Sequence, residues 1–368
     1  MGEYRQRSNK RSHGIRSKNK RKIQVKNETN RKKALIVAES MFLLYFGKKR
    51  IYNEDMEKEM RIYYAEKLAE LMTSDEKIVV VDADLGKALG TQDFKNRFSG
   101  RAVDVGIAEQ NMIGVAAGLA SYGYLPVCQS FAPFITRNDC DQITMNLRFA
   151  GLKSLLVGAD PGISAELNGS SHMAMEDISV MRAIPGMQVF EPADGVELSA
   201  ALPELIYSPN TVYMRMYRKT LPAVHSANYR FEYGKIDVLK GGKDVAIFSS
   251  GVFVHAAAEA AKALSAKGID AAVVNVHTIK PLDKKGIAAV LRGVKAAIVY
   301  ENHNGIGGLY SAVAEVQAAA GIPVRTVPLA IRDRFGVRGK LAEIMEELDL
   351  TPAKVVETAE KLLDQFVD

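Results

Sequence analysis

The residue with the most chemical content is Glu109. It stands in Asp104-Val-Gly-Ile-Ala-Glu-Gln-Asn-Met-Ile-Gly-Val-Ala-Ala-Gly-Leu-Ala120, where a strand runs into a glycine turn and then a helix of small residues. A carboxylate in a first helical turn is favoured by the helix dipole, which accounts for many such residues. It does not account for the helix itself. Gly114, Ala116, Ala117, Gly118 and Ala120 give a thin face, and its glycines cost helix propensity that a merely solvated helix has no reason to bear. Thin faces of this kind suit close packing at an interface.

Two further blocks carry candidate groups. In Ser130-Phe-Ala-Pro-Phe-Ile-Thr-Arg-Asn-Asp-Cys-Asp-Gln142, Phe131 and Phe134 are spaced to share a face at a helix start, where core packing is the ordinary use of such a pair. Arg137 has a planar fork for an anion or for a surface salt bridge. The stretch Gly158–Glu176 reads as a long loop between a strand and a helix, at the edge where open α/β sheets bind ligands, and it presents His172 as a cap, proton shuttle or hydrogen-bond donor. Asp84 lies just beyond a strand and suits a turn cap. Arg218, also beyond a strand, suits either a bound anion or a solvated charge.

These blocks closely resemble the transketolase superfamily, which includes deoxyxylulose-phosphate synthases and the β subunits of 2-oxo-acid dehydrogenases. Gly-Ile-Ala-Glu-Gln is its most specific motif. The resemblance implies a thiamine-diphosphate enzyme in which the matching glutamate, here Glu109, bonds a ring nitrogen of the cofactor's aminopyrimidine. That bond favours the imino tautomer that deprotonates the thiazolium carbon. A carboxyl kept partly protonated by burial suits a group that shares a proton with a weakly basic ring. Phe134 is implied to stack on the aminopyrimidine and Phe131 to line its pocket. Asp84 resembles an acid near the cofactor. His172 matches the histidine of the family's Asp-Gly-x-Thr-His loop, which contacts substrate and joins Glu109 as a catalytic candidate. Arg218 resembles the arginine that holds the substrate phosphate, and Arg137 is a further substrate contact. The chain departs from the pattern at Asn168, where the family has an acid, at Ser171, where it has Thr, and near Asp160, where many transketolases carry a histidine.

The family binds the diphosphate and Mg²⁺ through Gly-Asp-Gly and a later Asn, and this sequence has no Gly-Asp-Gly. The resemblance runs from about Met60 to the C-terminus and covers the last two of the family's three domains. It therefore implies a partner, an N-terminal transketolase subunit that carries the diphosphate and Mg²⁺ site, and self-association through the pyrimidine-binding and C-terminal domains in an α₂β₂ assembly. The implied reaction is transfer of a two-carbon ketol unit between sugar phosphates. A 2-oxo-acid dehydrogenase β subunit or a deoxyxylulose-phosphate-synthase-like half is the alternative within the fold, and a non-catalytic scaffold subunit is the alternative outside it.

The elements that must position these groups follow a regular rhythm. Ile78–Val81, Val103–Ile107, Pro126–Ser130, Ser154–Val157, Gln188–Phe190 and Val212–Met214 read as strands, with helices between them, including Ser171–Ala183 and Val196–Ile206. A polar, turn-rich stretch from Leu221 to Gly242 interrupts it. A second series begins at Val245–Phe248 and continues through Ala271–Val276, Ala297–Tyr300 and Val324–Val327, with helices at Ala256–Lys267, Leu309–Ala320 and Pro352–Phe366. The fold class is α/β, with two doubly wound domains: a basic, disordered extension over 1–55, a pyrimidine-binding domain over 56–228 and a transketolase C-terminal domain over 229–368.

The 368 residues have 47% hydrophobic and 25% charged side chains and no Trp, which is ordinary for a globular chain. The formal charge of +6 belongs to the extension, since residues 1–33 hold thirteen Lys/Arg against two acids and the remainder is net −5. No nucleic-acid face is expected. Ala34–Phe46 is short and contains Glu39, so no membrane segment is expected either, and the chain reads as cytoplasmic. Cys128 and Cys140 read as buried thiols. His225, His255, His277, Glu301 and His303 have no metal-ligand spacing, and Asp194-Gly195 reads as a helix cap.

Overall fold

A computed structural model describes residues 58–364. The basic extension, Ala34–Phe46 and the end of the last helix at Phe366 lie outside the described residues. Two sheets are built from apolar runs. The first holds β1 (Ile78–Asp82), β2 (Ala102–Asp104), β3 (Leu125–Phe131), β4 (Leu155–Ala159), β5 (Gln188–Phe190) and β6 (Val212–Met216), all in parallel pairings. The second holds β7 (Asp237–Lys240), β8 (Val245–Ser249), β9 (Ala271–Asn275), β11 (Ala296–Asn304) and β12 (Arg325–Ile331). Its order is β12-β11-β8-β9-β7, with β7 antiparallel to β9.

β1, β4, β6, β8 and β9 are buried along their whole length, as parallel strands covered by helices on both faces must be. The helix Met60–Ser74 buries Met60, Tyr64, Leu68 and Met72 at four-residue intervals and packs on the helix Gly195–Ile206. That second helix is capped by Asp194, whose Oδ1 accepts the Glu197 N–H at 2.8 Å.

The two sheets interlock. β10 (Thr278–Lys280) follows β9 in the chain but pairs antiparallel with β5, completing a seven-stranded first sheet of order β10-β5-β6-β4-β3-β1-β2. Arg215 of β6 is wholly buried between the sheets. It donates to Asp177 Oδ2 at 2.7 Å, to Glu191 Oε1 at 2.7 Å and to the Asn302 carbonyl of β11 at 2.9 Å.

Three sequence expectations are corrected. Phe131 and Phe134 do not share a helix: β3 stays paired with β4 through Phe131, and only after Pro133 does a π-helical turn, Phe134–Asn138, begin. The strand expected over Val103–Ile107 stops at Asp104, whose Oδ1 accepts the Gly106 N–H at 2.9 Å and the Asp84 N–H at 3.1 Å and turns the chain. The helix expected over Ser171–Ala183 begins only at Asp177, because residues 162–172 fold into tight turns held by the second sheet's loops. Among the described residues no helix is long and apolar enough to cross a membrane.

Candidate active site

β3, β4 and β6 are neighbours, and their carboxyl ends deliver Ser130 and Phe131, Asp160, and Arg218 to one edge of the sheet. Ligands of open parallel sheets bind at this edge. Glu109 is the first residue of the helix Glu109–Ser121 and is only 9% exposed. Ser130 Oγ donates to its Oε1 at 3.1 Å. Glu109 Oε2 has no hydrogen-bond partner among the described residues. Gln110 Nε2, next along the helix, donates to the Asn138 carbonyl at 3.1 Å and ties the helix start to the turn after Phe134.

Phe131, Phe134 and His172 form a ring trio. The two phenyl centroids are 6.2 Å apart, and His172 lies 5.4 Å from Phe131 and 5.1 Å from Phe134, all edge to face. All three rings are half-buried. His172 Nδ1 pairs with Ser171 Oγ at 3.0 Å. A buried carboxylate with one unengaged oxygen, bonded to the residue that precedes a half-buried phenyl ring, suits a planar aromatic ring that carries hydrogen-bonding nitrogens. The aminopyrimidine of thiamine diphosphate is such a ring.

Of the charged candidates, the two arginines are already engaged. Arg137 donates to Glu176 Oε1 at 2.7 Å with both side chains partly solvated. Asp84 is exposed and lines a separate polar pocket with Asp82, Lys87, Lys95 and Asp104. Arg218 packs its guanidinium over the Phe131 ring at 4.9 Å and is gripped by Asp160. Asp160 Oδ2 accepts from Arg218 Nε at 2.7 Å and pairs with Nη2 at 2.6 Å, while Oδ1 accepts the Arg218 N–H at 3.0 Å. Burial pushes the Asp160 carboxyl up, opposed by Arg218.

Sequence reasoning passed over Ser130 as a partner of Glu109 and Asp160 as a partner of Arg218. The second is a contact between neighbouring strands: Ala159 pairs with Met216, so Asp160 and Arg218 emerge at the same sheet edge. Asp139 was also missed. It is fully buried, its Oδ2 lacks a partner among the described residues, and burial together with the negative charge of Glu109 pushes its carboxyl up to about 7.

Three further histidines stand in the framework. His225 lies between Asp194 and Asp237 at 2.9 Å from each. Burial brings His277 and His303 down to about 4. Among the described residues no group of three His, Cys, Asp or Glu could hold a metal ion. Cys128 is buried and Cys140 half-buried, both free thiols.

Known proteins share this arrangement of domains. The chain matches the family model of the transketolase pyrimidine-binding domain over residues 56–224 and that of the transketolase C-terminal domain over 234–355. A 6-deoxy-6-sulfo-D-fructose transketolase subunit of Clostridium sp. (strain MSTE9) is 42% identical over 307 residues, covering 83% of this chain and 95% of that one. An apulose-4-phosphate transketolase subunit of Actinobacillus succinogenes is 35% identical over 256 residues, covering 70% and 82%. Among solved structures, a split-gene transketolase described as an inactive β4 tetramer superposes with a TM-score of 0.76 at 38% identity, covering 84% of this chain and 99% of that one.

Proposed function

The chain belongs to the transketolase family, and from that premise we propose that it is the C-terminal subunit of a split transketolase that moves a two-carbon ketol unit from a ketose to an aldose. The observation that carries this reading is Glu109, held by Ser130 through one oxygen and unengaged at the other, beside the trio of Phe131, Phe134 and His172. The family is thiamine-diphosphate dependent. When bound, the cofactor supplies the nucleophilic carbon that takes up the ketol unit.

At the pyrimidine end of the site the work falls to this chain's side chains. Glu109 Oε2 holds or releases the proton shared with a ring nitrogen, while the Ser130 bond fixes the carboxylate plane. The Phe134 face is assigned to cover the pyrimidine and Phe131, beneath the Arg218 guanidinium, to line its pocket, and together they exclude water, which strengthens the charge interactions within. His172, tethered by Ser171, donates to a substrate oxygen. Asp84 is a peripheral cofactor contact, and Arg137 is available to substrate only when it leaves Glu176.

The diphosphate and Mg²⁺ are assigned to a separate N-terminal subunit. The sequence lacks Gly-Asp-Gly, and the similar split-gene transketolase is inactive as a β4 tetramer. Self-association is assigned to the open side of the helix Glu109–Ser121, where Gly114 and Gly118 meet nothing within 4 Å.

The test is ketol transfer by this chain alone and mixed with its N-terminal partner, with thiamine diphosphate and Mg²⁺. Turnover only in the mixture, lost about 10²–10⁴-fold in Glu109→Gln, is the expected result. Turnover by the chain alone refutes the need for a partner, and a fully active Glu109→Gln mixture refutes the role of Glu109, as a scaffold subunit would require.

A further inference from the structure

We propose that Asp160 fills the anion-binding fork of Arg218 and makes this chain select a substrate whose end at Arg218 is an uncharged polyol rather than a phosphate. The inference rests on the reading of the chain as a ketol-transfer subunit and narrows its substrate class.

The fork is filled from inside the protein. Three donors of one residue, the Arg218 N–H, Nε and Nη2, converge on the two Asp160 oxygens at 2.6–3.0 Å. A phosphate gripped side-on by an arginine, through Nε and Nη2, needs the same paired donors that Asp160 already takes. Asp160 is 2% exposed, and its own N–H is fixed to the Met216 carbonyl at 2.9 Å. An incoming phosphate would therefore have to displace a buried carboxylate, leave it uncompensated and accept its repulsion at close range.

The surrounding backbone keeps Asp160 in place. Asp160 has a φ of +50°, a conformation that non-glycine residues rarely hold unless their surroundings enforce it. The loop after it cannot swing out. Asn302 of β11 accepts the Ile163 N–H at 2.9 Å and donates to the Pro161 carbonyl at 2.8 Å, and any Cβ at Gly162 would run into Asn302. Further along, Ser170 Oγ donates to the Gly336 carbonyl of the segment after β12.

The neighbouring cation is treated in the same way. Lys219 Nζ donates to Glu166 Oε2 at 2.6 Å, and Tyr217 OH donates to Glu166 Oε1 at 2.8 Å. Glu166 also sits at a positive φ of 51°. Two carboxylates of one loop, both at positive φ, thus neutralise both cations that follow β6. Arg218 Nη1 has no partner among the described residues, and it suits a single hydroxyl or carbonyl oxygen.

The experiment has a binding arm and a turnover arm. Inorganic phosphate is titrated into the full chain by ³¹P line broadening, for wild type, Asp160→Asn, Asp160→Ser and Asp160→Asn with Arg218→Ala. Both single variants should bind phosphate at least about tenfold more tightly than wild type, and Arg218→Ala should erase the gain. Far-UV circular dichroism identifies a variant that fails to fold, and the other single variant then decides. In the complete enzyme, an aldotetrose and its phosphate monoester are compared as acceptors, and Asp160→Asn should raise the phosphate-to-free kcat/KM ratio about tenfold. Equal phosphate binding by wild type and both variants, or a selective loss of the phosphorylated acceptor in Arg218→Ala alone, overturns the proposal. If the complete enzyme turns over neither acceptor, the ketol-transfer reading fails, and the substrate selection built on it falls with it.

Discussion

Ser130 Oγ and Glu109 Oε1 are joined by a 3.1 Å hydrogen bond between the end of β3 and the start of the helix that precedes it. The bond links two elements that differ by 21 residues in sequence and sets which carboxylate oxygen is unengaged. Ser130→Ala should therefore leave Glu109 free to rotate. A hydrogen bond to a charged group contributes about 1.5–3 kcal/mol, so kcat should fall about tenfold or more while KM changes little. Steady-state kinetics of the complete enzyme measure this, and an unchanged kcat would show that Glu109 is oriented by other contacts.

Asp139 supplies a pH test. Its carboxyl ionises near 3.8 in an unfolded chain and near 7 in the native one, because burial and then Glu109 disfavour its charge. The native state keeps a proton that the unfolded chain gives up. The Asp139 contribution to stability thus falls as pH rises from about 4 to about 7 and is flat above that. Asp139→Asn removes the penalty: its Tm should exceed wild type at about pH 8 and match it at about pH 4. An equal gain at both would trace the effect to packing instead.

His225 runs with the opposite sign. Burial disfavours its charged form, but the bonds to Asp194 and Asp237 outweigh burial and hold it at about 10, above its ordinary 6.5. The contribution is fully present below 6.5 and is lost as pH rises through about 10. Thermal unfolding of wild type should lose midpoint temperature across that window, and His225→Asn should be less stable below it with a flatter profile. A wild-type midpoint that holds steady from 6.5 to 10 would mean that His225 is neutral in the native state.

Arg215→Met isolates the charge cluster between the sheets. It leaves Asp177 and Glu191 buried without their cation, which costs about 3–5 kcal/mol. Chemical denaturation should show this loss. Arg215→Met combined with Asp177→Asn should recover part of it, because fewer buried charges remain unpaired.

The alternation of strands and helices was legible in the sequence because parallel strands covered on both faces read as apolar runs, as Ile78–Val81 and Val245–Phe248 do. The helix that begins at Glu109 was legible because it is built of residues too small for an ordinary surface. What was not legible depends on contacts between distant segments. Thr278–Lys280 is too short to stand out and becomes a strand only because β5 offers it an edge. The Phe131–Phe134 spacing pointed to one helix face, but β3 keeps Phe131 through its pairing with Ala159. Arg218 reads the same whether its fork is free or filled, and only the approach of Asp160 from the neighbouring strand distinguishes the two.

The strand Thr278–Lys280 also limits how this gene can be divided. A break placed at the turn-rich stretch near residue 230, which sequence alone marks as the seam, would strip β5 of its outer neighbour and leave open N–H and C=O groups along that edge. A fragment ending there should form aggregates where the longer chain stays in solution, and comparative sedimentation of the two would measure it. Exchange of modules between relatives would have to carry β10 along with the half that bears Glu109, so the unit of inheritance runs past the seam and into the chain of the second sheet.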